Sequence, residues 1–388
     1  MPLCTSLFFK EWAGHHAVRS FDTSHEREYF AFRHSTGMID VSPLYKYEVY
    51  GPDAAALLSR VTVRNIAKLA VGRVTYLCWC DDEGRVVDDG TVTRIDDDHY
   101  RMTAAEPTFA WLQRYARRTR VTIEDSSARF GALALQGPTS RFVIDDAADE
   151  SIAPLRFFDC ARRKIAGKPV FVSRTGYTGD LGYEVWVERE HALAVWDALF
   201  EAGRPHRLEP AGLDAMDVTR VEAGFIMNGV DYFSAHHCLI DARKSTPYEL
   251  GIDWTVDLDR DPFVGQAALR AEKERGPAWK MVGLVIDWDE YEALFAEHNL
   301  PPHVSSGAWR HGLPVYDSAG RQIGKATSGA WSPLLKANLA LASIKAEHAE
   351  IGNRLKIETT VEYARRKVSA VVTAMPFFNP DRKRAKWT

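Results

Sequence analysis

The chain has 388 residues and a mass of 43.6 kDa, a length that predicts two or three domains. Its composition, 46% hydrophobic and 26% charged, excludes a disordered or fibrous chain. Forty-nine basic against 53 acidic residues give a net charge of −4, which argues against a general nucleic-acid binder. No stretch approaches the roughly 20 apolar residues of a membrane helix. The N-terminal MPLCTSLFFKEWAGHH lacks a basic leader, so a signal peptide is not expected. The odd, scattered cysteines, Cys4, Cys78, Cys80, Cys160 and Cys238, are no disulfide framework and suit a reducing cytoplasm. Cys78 and Cys80, and the run His236-His237-Cys238, lack distant partner motifs, so no metal site is expected.

Short strands alternate with a few amphipathic helices, which reads as α+β. Gly51-Pro52-Asp53 opens a helix over 54–60. Residues 74–95 read as a hairpin turning at Asp81-Asp82-Glu83-Gly84, and a strand follows over 99–103. The spacing of Phe109, Leu112 and Tyr115 predicts a helix over 106–117. GALALQGPTSRFVI repeats the plan: a strand, the turn at Gly137-Pro138 and a helix. KPVFVSRTGYTGDLGYEVWVE gives two strands around a glycine-rich loop, and a helix over 191–202 closes at Gly203. From about residue 280 the strands KMVGLVI, GLPVYD, GKATSG, LALASI, RLKIET and SAVVTAM predict a small β-barrel or sandwich.

Three places are chemically unusual. Asp88 and Asp89 sit inside a strand, where Asp is disfavoured and neighbours face opposite sides. One is expected to face solvent; an inward one needs a cation, a donor or a ligand. A plain strand-edge or turn carboxylate is the alternative that spacing alone favours. The loop from Ser173 to Asp180, with Gly176, Gly179 and Gly182, permits close backbone approach but matches no nucleotide loop. Glu184 opens an otherwise apolar strand and could accept from a two-donor edge, or stand exposed. Thr327 to Pro333 reads as a polar turn with an aromatic, Trp331.

Together these motifs resemble the glycine-cleavage T-protein (aminomethyltransferase) family of folate-dependent one-carbon transferases. The matching pieces are Gly37 to Ser42, Gly84 to Asp89, Ala134 to Pro138, Ser173 to Glu184, Pro210 to Leu213 and Arg220 to Gly224. Pro247 to Trp254, Phe263 to Gly265 and Thr327 to Pro333 continue them in family order. The resemblance implies a three-domain ring with tetrahydrofolate in its central channel. A split α+β domain would span 1–47 and 131–250. A second α+β domain over 48–130 would carry Asp89. A connecting segment over 251–280 would lead to a C-terminal β-barrel over 281–388. It also implies that Asp89 is catalytic beside the folate nitrogen, that Glu184 pairs with the pterin edge, and that Tyr76, Tyr177 and Trp331 line the channel.

Two departures bear on the donor. Pro43 stands where the family has His, and Met216 where the glycine-cleavage branch has Arg. The expected function is therefore transfer of a one-carbon unit from a small methylated donor to tetrahydrofolate. A true glycine-cleavage T-protein using a lipoylated carrier protein is one alternative. A non-catalytic folate-binding paralogue is another, against which Asp89 argues. An aromatic-rich stretch over 287–310 reads as an insertion that reshapes a pocket or packs on itself at the surface. The basic run Arg382 to Lys386 reads as a solvated tail, or as an attractor for folate's glutamate chain.

Overall fold

The computed structural model describes residues 3–386. Among them no helix is long and apolar enough to cross a membrane. Strand Thr36–Asp40 pairs with Phe130–Gln136, the core of a six-stranded sheet that also holds Cys160–Ile165, Lys168–Ser173, Gly182–Glu188 and Leu208–Pro210. Between the first two of these strands the chain builds a separate five-stranded sheet from Tyr45–Tyr50, Arg73–Cys80, Val86–Asp96, His99–Ala104 and Thr122–Asp125. The chain thus leaves one sheet, completes another and returns.

Each sheet carries an eight-residue helix entered through a Gly-Pro or Gly-Pro-like turn. These are Ala54–Val61 after Gly51 and Ser140–Ala147 after Gly137, and the two glycines share nearly one backbone conformation, φ +122° and +124°. Leu57, Leu58 and Val61 on the first helix, and Val143 and Ile144 on the second, are buried against their own sheets. The helix expected over 106–117 is shorter, Phe109–Ala116. Its missing start has a local cause: the N–H groups of Ala105 and Glu106 both donate to Asp88 at 2.9 Å, which holds that backbone out of a helix.

The six C-terminal strands Trp279–Ile286, Leu313–Tyr316, Gln322–Ser332, Ala337–Lys345, Arg354–Val361 and Ala364–Thr373 close into a barrel. Val282, Leu284, Leu339, Ala340, Ile357 and Val372 are among its buried side chains. Residues 327–332 are not a turn but the end of the Gln322–Ser332 strand, with a bulge at Ala326/Ser328. They are polar for another reason: Thr327 and Ser328 hydroxyls donate to the buried Asp231 at 2.5 and 2.6 Å.

Helix Leu213–Glu222 ties the units together and is buried along nearly its whole length. Arg220 donates to Asp217 at 2.8 Å, to Asp231 at 2.6 Å and to Ser328 of the barrel at 3.1 Å. Glu222 accepts from Arg33, Tyr29 and Ser332, each at 2.5 Å. Removing one partner from such a buried ionic cluster costs about 3–5 kcal/mol, because the charge left behind stays desolvated.

The 287–310 stretch contains a helix, Trp288–Ala296, capped by Asp287 accepting from the Glu290 N–H. Trp309 bridges to Gly329, and Arg310 donates to Asp217 at 2.5 Å. The stretch is anchored to both the barrel and the buried helix. The basic C-terminal run is solvated only in part. Arg382 pairs with Asp180 at 2.7 and 2.8 Å, Lys383 is buried, and Arg174 accepts the turn by donating to the carbonyls of Arg382, Lys383 and Ala385. Arg382 and Lys383 are occupied in docking the tail, while Arg384 and Lys386 stay exposed.

Candidate active site

Asp89 lies on the Val86–Asp96 strand opposite Cys78, so it shares a face with Tyr76 two residues further along the partner strand. The Tyr76 hydroxyl donates to its carboxylate at 2.8 Å, and the Tyr232 hydroxyl donates to the other oxygen. Asp88 lies opposite Trp79 and points to the other face. It does not face solvent: it is 0% exposed. Alternation was the right local rule, but both faces of this sheet are covered. Asp88 survives burial by accepting from the N–H groups of Ala105 and Glu106 and from Asn228 Nδ2 at 2.8 Å. Tyr232 also reaches it, at 3.3 Å.

Burial, then the neighbouring Asp89 charge, pushes Asp88 up to about 7. Burial also raises Asp89, against the two tyrosine hydrogen bonds that favour its ionised form. The two carboxyls raise one another's pKa, and the Tyr232 hydroxyl reaches both. Tyr76 and Tyr232 are both pushed well above their ordinary range, by burial first and then by the Asp89 charge, so they act as donors.

Tyr177 anchors its hydroxyl on the Ile226 carbonyl at 2.5 Å and sets its ring 5.5 Å from Phe225. It lies within electrostatic reach of Asp89, Asp231 and Arg220. Glu184, opposite Ser173 in the sheet, accepts from Thr175 at 2.9 Å, and burial raises its pKa. The glycines of the neighbouring loop have a steric reason. A Cβ at Gly176 or Gly182 would fall 1.9 or 2.2 Å from Gln136 Oε1, whose amide braces the loop through the Thr175 and Tyr183 carbonyls. Tyr76, Asp89, Tyr177 and Glu184 all keep partial exposure, yet desolvation is the largest cause of each one's shift. Each of these side chains is therefore largely desolvated while still in contact with solvent.

The structure therefore joins Tyr76 and Asp89 by a hydrogen bond, with Tyr177 close by. Trp331 sets its ring 5.0 Å from that of Trp288 in the 287–310 stretch. Tyr232 and Asn228, which the sequence reading passed over, complete the carboxylate pair. Their signal was the Asn228-Gly229 turn, followed by an Asp and a Tyr in Asp231-Tyr232. Among the described residues no group of three or more His, Cys, Asp or Glu could hold a metal ion.

Residues 6–260 match the GCVT N-terminal domain, and residues 298–379 match the glycine cleavage T-protein C-terminal barrel domain. The chain belongs to the glycine-cleavage T-protein family. An aminomethyltransferase of Halothermothrix orenii is 33% identical over 359 residues, covering 92% of each chain. A trimethylamine-oxide aldolase of Ruegeria pomeroyi is 35% identical over 92% of this chain, which spans only 44% of that protein. The crystal structure of the glycine cleavage system aminomethyltransferase T from Bartonella henselae superposes with a TM-score of 0.82 at 23% identity, covering 98% of this chain and 96% of that one. The fold is accordingly the T-protein fold, two α+β units closed by a barrel, and the chain is an enzyme of this folate-dependent transferase family.

Proposed function

We propose that the protein moves a one-carbon unit from a small methylated donor to tetrahydrofolate, as a methyltransferase or demethylase. The observation that carries this reading is the Asp89 carboxylate held between the Tyr76 and Tyr232 hydroxyls. A protein that only bound folate would have little use for a desolvated carboxylate braced in this way.

The residues fit the cofactor. Among the described residues Glu184 accepts from Thr175 with one of its two carboxylate oxygens, and a partly buried acceptor gains most from an edge presenting adjacent N–H donors. Tyr177 and Tyr76 present aromatic faces for a flat ring. Tetrahydrofolate, when bound, supplies the nucleophilic nitrogen that accepts the carbon. Asp89 then stabilises positive charge developing near that nitrogen, or takes the proton it releases. Tyr232 and Tyr76 fix the carboxylate so that little reorganisation is needed in the transition state.

The two sheets and the barrel support a division of the kind expected, a split unit, an Asp89 unit, a connector and a barrel, but with the first break before Tyr45 and the barrel starting at Trp279, since strands Tyr45–Tyr50 and Trp279–Ile286 span the expected bounds at 47/48 and 280/281. A second reading, an aminomethyltransferase working with a lipoylated carrier protein, is favoured by the name and full-length match of the Halothermothrix orenii relative. Met216 weighs against it: the side chain is buried among apolar neighbours of one cluster, with Ala330 and Ala308. The reaction itself is tested by incubating the protein with tetrahydrofolate and a panel of N-, S- and O-methylated donors, and following methyl- or methylene-tetrahydrofolate. Product from a methylated donor supports the reading; product only with aminomethylated carrier protein replaces it by the second.

A further inference from the structure

After the last barrel strand, Ala364–Thr373, the chain turns back onto the unit built on the six-stranded sheet and docks there at four points. The Phe378 N–H donates to the Glu222 carbonyl at 2.9 Å, and the Arg33 guanidinium lies 4.2 Å from the Phe378 ring centroid. Arg382 donates to both oxygens of Asp180, whose side chain is fully buried. Arg174, also buried, donates to the carbonyls of Arg382, Lys383 and Ala385 at 3.2, 3.1 and 2.8 Å. Lys383 is buried too, its ammonium 4.9 Å from the Phe225 ring centroid and 5.6 Å from that of Phe157.

Two of these contacts fall at the two ends of one loop. Arg174 and Asp180 bracket the glycine-rich segment, and between them lie Thr175 and Tyr177 of the candidate site. Thr175 donates to Glu184 at 2.9 Å. Tyr177 sets its ring 5.5 Å from that of Phe225, the ring that also receives the Lys383 ammonium. Burial draws the Lys383 pKa down to about 8, a setting that a solvated tail would not give it. With glycines at 176 and 179, the segment has much backbone freedom to lose on ordering. Fixing both of its ends removes part of that freedom before any ligand arrives.

We propose that the C-terminal tail is a latch on the pterin end of the site: its docking sets the 175–179 loop, and tail docking and tetrahydrofolate binding strengthen one another. The inference rests on the tetrahydrofolate reading above and adds a control point remote from the reacting atoms. Docked, the tail keeps Thr175 on Glu184 and Tyr177 against Phe225. Arg382 and Lys383 act through the loop and are positioning residues. Linkage makes the effect reciprocal: if docking raises tetrahydrofolate affinity by some factor, tetrahydrofolate raises the docking equilibrium by the same factor. The undocked tail is the state a protease reads. Arg382, Lys383 and Arg384 are trypsin targets, and cleavage there needs the backbone that Arg174 holds to come free.

The test follows tryptic release of the C-terminal peptide from the full chain by intact mass, with and without saturating tetrahydrofolate, beside a titration of tetrahydrofolate affinity. In the wild type, tetrahydrofolate is expected to slow that release about fivefold or more, while cleavage elsewhere in the chain changes less. Arg382→Glu sets like charge against Asp180. It is expected to speed release in the absence of ligand and to weaken tetrahydrofolate binding about fivefold or more. Thermal melting checks that this variant is folded; if it is not, Arg382→Gln, which removes the pair without adding repulsion, is read in the same way. A wild type that binds tetrahydrofolate, yet is cleaved at one rate with and without it, overturns the latch and leaves the folate reading standing. Equal protection of every cleavage site marks general stabilisation and also overturns it. So does a folded Arg382 variant whose tail is released faster at unchanged tetrahydrofolate affinity, or one whose tail is released no faster. A wild type that binds no tetrahydrofolate overturns the folate reading and the latch together.

Discussion

Arg310 donates its Nε–H to Asp217 at 2.5 Å, across a sequence separation of 93 residues. The bond ties the 287–310 stretch to the helix that carries Arg220, and Asp217 accepts from both arginines. The two guanidinium groups hold the Asp217 carboxyl below its ordinary range despite its burial. Arg310→Ala should therefore lower stability by about 1–3 kcal/mol, since Asp217 loses one charged donor but keeps the other. The denaturation midpoint measures this. An unchanged midpoint would mean that the stretch is tethered only through its aromatic contacts.

Asp89→Asn should preserve shape and most folate affinity while lowering turnover about 10²-fold or more, because the missing charge acts mainly in the transition state. Asp88→Asn is a different experiment from the one strand alternation suggests. It places an amide against two backbone N–H groups and Asn228, so it should cost about 1–3 kcal/mol of stability. The pair is read by turnover and thermal melting side by side. Full turnover in Asp89→Asn would remove Asp89 from the chemistry.

The raised pKa values give two pH dependences with opposite readouts. Asp88 sits near 7 in the folded chain and near the ordinary carboxylate value when unfolded, so the folded state binds the extra proton between about pH 4 and 7. Its contribution to stability is full below pH 4 and is lost as pH rises through about 7, with a slope of up to about 1.4 kcal/mol per pH unit. Asp88→Asn should flatten that slope in denaturation series at several pH values. Superimposable slopes would show that the Asp88 proton is not linked to folding.

Turnover should fall with acidity instead. If ionised Asp89 is the working form, kcat/KM declines as pH drops through a pKa above the usual carboxylate range, because burial raises it. The pH–rate profile of Asp89→Asn should lack that limb. A wild-type acid limb at the ordinary Asp value would contradict the buried setting described here.

Glu184→Gln should weaken tetrahydrofolate binding by about 1–3 kcal/mol, since a charged acceptor becomes a neutral one. Titration calorimetry reads this directly, and an unchanged affinity would take Glu184 out of the pterin site.

Reconstitution with a lipoylated carrier and the decarboxylase components should give glycine cleavage at least about 10²-fold slower than a protein with Arg at the Met216 position, because a lost cationic contact to a reacting group costs a few kcal/mol. Met216 is 6% exposed in an apolar cluster and offers no charge there. Robust glycine cleavage would favour the carrier-using reading.

What the sequence determined by itself was local. Apolar periodicity marked the helices near 54–60 and 191–202 and all six barrel strands, because period and turn chemistry are written within a dozen residues. Two aspartates in the middle of a strand were conspicuous for the same reason. The tertiary structure decided which faces are covered and which distant groups meet. Asp88 proved buried because Asn228 and Tyr232, some 140 residues away, close over it. Thr327 and Ser328 looked like turn residues, yet they are strand residues whose hydroxyls satisfy Asp231, 96 and 97 residues earlier. The C-terminal basic run looked solvated until Asp180 and Arg174 were seen to hold it. In each case a polar side chain has two physical explanations, water or a buried partner, and local spacing cannot choose between them. The choice belongs to long-range packing, where desolvation makes an unpartnered charge too costly to keep.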